Sequence, residues 1–220
     1  MAKPPIGRMK KDEIVALYKG RCKHGHRYIE HYGCYLAEAD KEPLIGFFDI
    51  EASNLKADFG IILTYSILGS DDSFYGDFIT AEDLHGKLDY RIVKEMVKDL
   101  QRFDVIVGYY STKYDLPYSR TRAHTMGIPF PGYGELQHKD VYYMIKSKFS
   151  LSRNRMENAA RMLVGKTEKT HMLPEQWVRA LSGNKKAIEY IYEHNKRDVR
   201  DLRRLYYEVI QYVKNGTRSI

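Results

Sequence analysis

One apolar run, Leu44-Ile-Gly-Phe-Phe-Asp49-Ile-Glu51-Ala-Ser, carries two carboxylates separated by a single residue. Side chains alternate along a strand, so Asp49 and Glu51 share one face while Phe48 and Ile50 take the other. Two acids fixed side by side repel each other unless cations neutralise them, and hard divalent ions prefer oxygen ligands. A strand with this pattern is buried on one side and reads as half of a metal site on the other.

Around that strand the pattern predicts a layered α/β domain. Strands are expected at residues 44–51, 59–68 and 74–79, the last two joined by the Gly69-Ser-Asp-Asp turn, making an antiparallel meander. A helix over 90–103 follows, with Ile92, Val93, Met96, Val97 and Leu100 at helical spacing, and then a short apolar strand at 104–108. Strand, helix, strand implies a crossover onto a parallel neighbour. Beyond Pro117 helices are expected, interrupted by a loop at 127–134, with segments near 139–148, 152–164 and 174–182 before a final helix of 185–213. Residues 1–42 form a separate basic segment with a helix at 11–19, and 215–220 form a tail.

Two further acids fall where a metal site needs them. Asp115 follows the fourth strand and opens a helix whose first turn accommodates Pro117. Asp198 lies on the final helix, one turn after His194 on the same face. Asp201 is the alternative to Asp198, three positions on. Asp71, Asp72, Asp77 and Asp140 read as turn or cap residues.

The Asp-x-Glu strand, the Tyr114-Asp-Leu-Pro segment and the His194-Asn-x-x-Asp-Val helix resemble, in order and separation, the three motifs of the DEDD exonucleases of the ribonuclease H-like superfamily. The resemblance covers about residues 43–214 and, more narrowly, the chain is similar to the YprB-like (RNase_H_2) group of bacteria and phages. It implies a ribonuclease H-like mixed sheet flanked by helices. It further implies that Asp49, Glu51, Asp115 and Asp198 hold two Mg²⁺ or Mn²⁺ ions for hydrolysis of phosphodiester bonds from a 3′ end. In the superfamily a Tyr usually stands four positions before the last acid, or a His five before it; His194 takes the Tyr spacing. His194, with an ordinary pKa of about 6.5, is the candidate general base, or else a residue that orients the water. The alternatives are a structure-specific endonuclease of the same superfamily and a nucleic-acid-binding protein without catalysis.

The surroundings suit a polyanion. The chain of 220 residues has a formal charge of +7, and Lys146, Lys148, Arg153, Arg155, Arg161, Lys166 and Lys169 concentrate ahead of the last helix. Of these, Arg153, Arg155, Lys166 and Lys169 are candidate backbone contacts, or else an ordinary solvated face. Tyr110 and Tyr114 flank Asp115 and are candidate base-stacking residues, with core packing as the alternative. Single-stranded DNA or RNA 3′ ends are the expected partners, with replication, repair or RNA-processing proteins as associates.

Nothing suggests a membrane span or signal peptide, and two cysteines give no disulfide framework, so an intracellular protein, cytoplasmic or nucleoid-associated, is expected. Both cysteines sit in Cys22-x-His24-x-His26-x4-His31-x2-Cys34. Cys22, His24, His31 and Cys34 are the candidate ligands of one structural Zn²⁺; reduced surface thiols beside phosphate-touching histidines are the alternative. The segment is basic, which makes it a candidate guide for a strand approaching the acids.

Overall fold

The computed structural model describes residues 4–22, 24–38, 42–132, 135–168, 170–213 and 218–219. Two helices, α1 (Lys11–Lys19) and α2 (Tyr32–Glu38), precede the meander β1 (Ile45–Ala52), β2 (Ile62–Gly69) and β3 (Phe74–Phe78). There follow α3 (Ala81–His85), α4 (Tyr90–Leu100), β4 (Val105–Gly108), α5 (Asp115–Thr125), β5 (Gln137–Asp140) and α6 (Val141–Lys148). Then come α7 (Met156–Ala159), running into a π-helical turn at Ala160–Val164, α8 (Pro174–Leu181), the long α9 (Lys185–Val209) and the short β6 (Arg218–Ser219). Among the described residues no helix is long and apolar enough to cross a membrane.

The strands form one mixed sheet in the order β3-β2-β1-β4-β5-β6. β1 is antiparallel to β2 and parallel to β4, as the alternation and the crossover predict. Central placement buries both faces of β1. Phe48 and Ile50 join the core that includes Ile92, Val93 and Met96 of α4 and Leu116 of α5. Phe47, on the acids' face, packs in a second core with Val199, Leu202 and Leu205 of α9. The sheet is thus sandwiched between helical layers, and α9 runs across the face that carries Asp49 and Glu51. Buried Asp89 ties three elements together. It accepts hydrogen bonds from the Ile62 N–H at 2.8 Å and from the Arg122 guanidinium at 2.6 Å.

Several elements differ from expectation. β2 begins three residues late, because residues 53–60 loop out and leave Phe59 84% exposed. β5 was not anticipated: Gln-His-Lys-Asp is too short and polar for an apolar-run signal, and pairing with β4 makes it a strand. α2 and α3 were also missed, although Thr80 and Asp83 form a capping box at the start of α3. The expected helix at 152–164 starts at Met156, and the final helix leaves the α conformation after Val209. Asp77 lies within β3 and pairs with Arg91 instead of serving a turn.

The N-terminal segment lies at the far end of the sheet from the acids. Pro4–Arg8 lines a crevice with Arg102 and Phe103, and Tyr32 hydrogen-bonds Asp104 just before β4. A Cβ added at Gly33 would approach the Gln137 side chain at the start of β5. This placement removes the expectation that the segment leads a strand toward Asp49 and Glu51, which sit toward the other end of β1.

Candidate active site

Three elements bring the predicted residues together. Strand β1 presents Asp49 and Glu51; the opposite positions on β2 are Ser66 and Thr64, buried hydroxyl residues in an otherwise apolar strand. The start of α5 supplies Asp115, whose Oδ1 accepts the backbone N–H of Ile50 at 3.1 Å, so it sits against β1 between the two acids in sequence. From α9 come His194 and Asp198, both nearly buried. His194 Nε2 stands 3.6 Å from Glu51 Oε1 and 3.7 Å from Asp198 Oδ2, and its Nδ1 is 2.7 Å from the Thr170 hydroxyl. The Asn195 amide, on the same helix, donates to Asp49 Oδ2 at 2.6 Å.

Asp201 is committed elsewhere. Its carboxylate accepts from the Thr167 hydroxyl, the Glu168 N–H and Arg204, all within 3.0 Å, and so anchors the loop before α8.

Asp49, Asp198 and His194 line a cavity of about 560 Å³. Its wall opposite the acids is aromatic: Tyr110 is 44% exposed, and its ring lies 4.8 Å from that of Tyr142. Arg155, at the start of α7, lines the same cavity. Arg153 and Lys166 are exposed but do not line it, and Lys169 falls outside the described residues. Tyr114 also lies outside the cavity, half-buried with its ring packed on Tyr118.

The aromatic wall depends on a tight turn after β4. Tyr110 has φ +60, a left-handed conformation uncommon for a residue with a Cβ. Asp140 holds the turn, accepting the N–H groups of Tyr110 (2.8 Å) and Thr112 (2.9 Å) while also capping α6 through Tyr142 (3.0 Å). Gly108 leaves room for it: a Cβ there would come 2.1 Å from Ser111 Oγ. Sequence reasoning identified Asp140 as a cap but missed this second duty. It also missed Tyr142, Thr170 and Asn195; the adjacency of Asn195 to His194 was the one available hint.

The family model RNase_H_2, of the RNase_H superfamily, matches residues 46–210. The chain belongs to this family. Among solved structures it is similar to a family B DNA polymerase from the hyperthermophilic archaeon Pyrobaculum calidifontis, with a TM-score of 0.61 and 20% identity. The match covers 78% of this chain and 25% of the polymerase chain, so the chain spans about a quarter of the polymerase's length and the likeness is one of fold. No curated protein matches the sequence.

Nucleases of the RNase_H superfamily usually use divalent metals, and the donor set of this RNase_H_2 chain fits them. One oxygen each from Glu51 and Asp198 and one nitrogen of His194 lie within 4.8 Å of one another. Asp49 precedes Glu51 by two residues on the same strand, and Asp115 accepts the N–H of Ile50 between them. Burial pushes the Asp115 carboxyl up to about 7, and the nearby charges of Asp140 and Asp198 add to the rise. Crowded, desolvated carboxylates of this kind are what a hard cation neutralises.

Asp140→Ala is expected to destabilise the protein by about 1–3 kcal/mol, because three part-buried N–H groups lose their acceptor. It is also expected to raise KM more than it lowers kcat, since Tyr110 would leave the cavity wall while the acids stay. Denaturant melts and steady-state cleavage kinetics on an oligonucleotide check both parts.

Proposed function

We propose that this RNase_H_2 protein is a metal-dependent 3′–5′ exonuclease acting on single-stranded DNA or RNA by a two-metal-ion mechanism. The observation that carries this reading is the convergence of Asp49, Glu51, Asp115, Asp198 and His194 from β1, α5 and α9, with Asp49, Asp198 and His194 lining one aromatic-walled cavity and Glu51 and Asp115 set behind it. A cavity of about 560 Å³ is within the range of small-ligand sites, which suits enclosure of a terminal nucleotide more than passage of a duplex.

Asp49, Glu51, Asp115 and Asp198 would hold the cations. When bound, these neutralise the scissile phosphate and lower the pKa of the attacking water. The remaining work belongs to the chain's own groups. Tyr110, whose ring meets that of Tyr142 edge-on, offers its face to the terminal base, a contact that tolerates any sequence. Arg155 pairs with a phosphate oxygen. His194, in the tautomer whose Nδ1–H donates to Thr170, presents the Nε2 lone pair toward the acids and takes the proton from the water there. The Asn195 amide fixes the rotamer of Asp49. Replication, repair or RNA-processing proteins are the associates that such an activity would serve.

The test is a time course on 5′-labelled single-stranded DNA and RNA with Mg²⁺ or Mn²⁺, and with chelator. A ladder shortening from the 3′ end only when metal is present is the expected result, and it reveals the preferred sugar. Discrete internal cuts would replace this reading with the endonuclease. Tight binding without cleavage in either metal would leave a binding protein.

A further inference from the structure

The Cys/His segment takes no part in the site above, yet its five candidate ligands gather in space. Residues 24–27 turn back onto Arg21 and Cys22. Arg21 and Arg27 pair as an antiparallel bridge, the Cys22 N–H donates to the His26 carbonyl at 2.9 Å, and Gly25 takes the left-handed turn at φ +83. His31 then precedes α2, and Cys34 lies in its first turn, its N–H donating to the His31 carbonyl at 2.9 Å. Turn and helix start therefore face each other with Cys22 buried between them.

Cys22, His24 and Cys34 have the spacing of three ligands of a tetrahedral site. Zinc bonds of about 2.0 Å to nitrogen and 2.3 Å to sulfur put the two ligand atoms about 3.5 Å apart at the tetrahedral angle. His24 Nδ1 stands 3.8 Å from Cys22 Sγ and 3.6 Å from Cys34 Sγ. Hydrogen bonding alone does not account for two thiols on one nitrogen, which has a single lone pair to offer. On the other side of Cys22, His26 and His31 stack with ring centroids 3.9 Å apart, and each brings a nitrogen within 4.8 Å of the same sulfur.

The local core needs such a clip. Among the described residues only Leu17, Tyr32 and Tyr35 are buried in the cluster formed by this segment, far less apolar burial than an independently stable unit requires. We propose that Cys22, Cys34, His24 and one imidazole of the His26–His31 pair bind a structural Zn²⁺ that fastens α1 and α2 at the end of the sheet remote from the acids. Thiolate ligands select zinc, whereas the oxygen-rich acid cluster selects Mg²⁺ or Mn²⁺, so the two sites take different metals.

Zinc content and cobalt spectra of the full-length chain test this, independently of whether the protein cleaves anything. The reduced wild-type protein is expected to retain one zinc per chain through dialysis. With Co²⁺ in its place it should show thiolate charge-transfer absorption and an intense tetrahedral d–d band. Cys22→Ser and Cys34→Ser are expected to lose both, and Asp198→Asn to keep them. Absence of charge-transfer absorption in cobalt-loaded wild type would overturn the proposal without reliance on any variant's folding. So would its loss in Asp198→Asn with retention in Cys34→Ser.

Discussion

Asp198→Asn is expected to lower metal-dependent cleavage about a thousandfold and leave the protein folded, while Asp201→Ala does the reverse. The two acids are three residues apart on one helix and equally buried, so burial alone does not distinguish them. Their surroundings do. Asp198 faces His194 and shares a cluster with Glu51, where its charge is set against that of another acid. Replacing it with the neutral isostere removes repulsion from the empty site and a ligand from the loaded one. A thousandfold loss corresponds to about 4 kcal/mol of barrier, a reasonable share of what bound cations contribute to phosphodiester hydrolysis.

Asp201 instead satisfies Thr167, the Glu168 N–H and Arg204. Truncating it strands those donors and should cost about 2–4 kcal/mol of stability, with the residual activity tracking the folded fraction. Chemical denaturation and single-turnover cleavage of both variants decide the matter. A folded Asp198→Asn protein with near wild-type turnover would remove Asp198 from the site.

How far the sequence discloses this arrangement depends on whether the information is local. Asp49 and Glu51 are legible because strand alternation forces them to one face, and His194 and Asp198 because helical spacing does the same. The family match over 46–210 agrees with the fold read from those segments. Tyr114 shows the limit. It is adjacent to Asp115 in the chain, yet α5 begins between them and sends its ring toward Tyr118. Tyr142 is more than thirty residues from Tyr110 and meets it only because β4 and β5 pair in parallel and both elements leave the sheet at the same end. β5 is polar and four residues long, so nothing local marks it as a strand. Tyr110 was legible as a candidate beside Asp115, but the wall it makes with Tyr142 exists only through tertiary pairing, whereas the acids announced themselves.

The same crowding gives the metal-free protein a pH dependence opposite to that of most acid-stabilised folds. Burial raises the Asp115 carboxyl to about 7 in the native state, against 3.8 for an ordinary aspartate. Between these two values the unfolded chain releases the proton and the native chain keeps it. The native state then binds more protons, so stability falls as pH rises from about 4 to about 7 and levels off above. A shift of about three units bounds the loss at roughly 4 kcal/mol. Divalent cations bind the ionised cluster, so their stabilisation grows over the same interval and offsets that loss. Thermal melts in chelator are expected to decline from about pH 5 to about pH 7.5. Millimolar Mg²⁺ or Mn²⁺ should raise the melting temperature strongly at the upper pH and weakly at the lower. Asp115→Asn, neutral throughout, should flatten the chelator series. A chelator series that instead rises with pH, or a cation effect equal at both ends, would show that Asp115 is not the group that couples proton and metal.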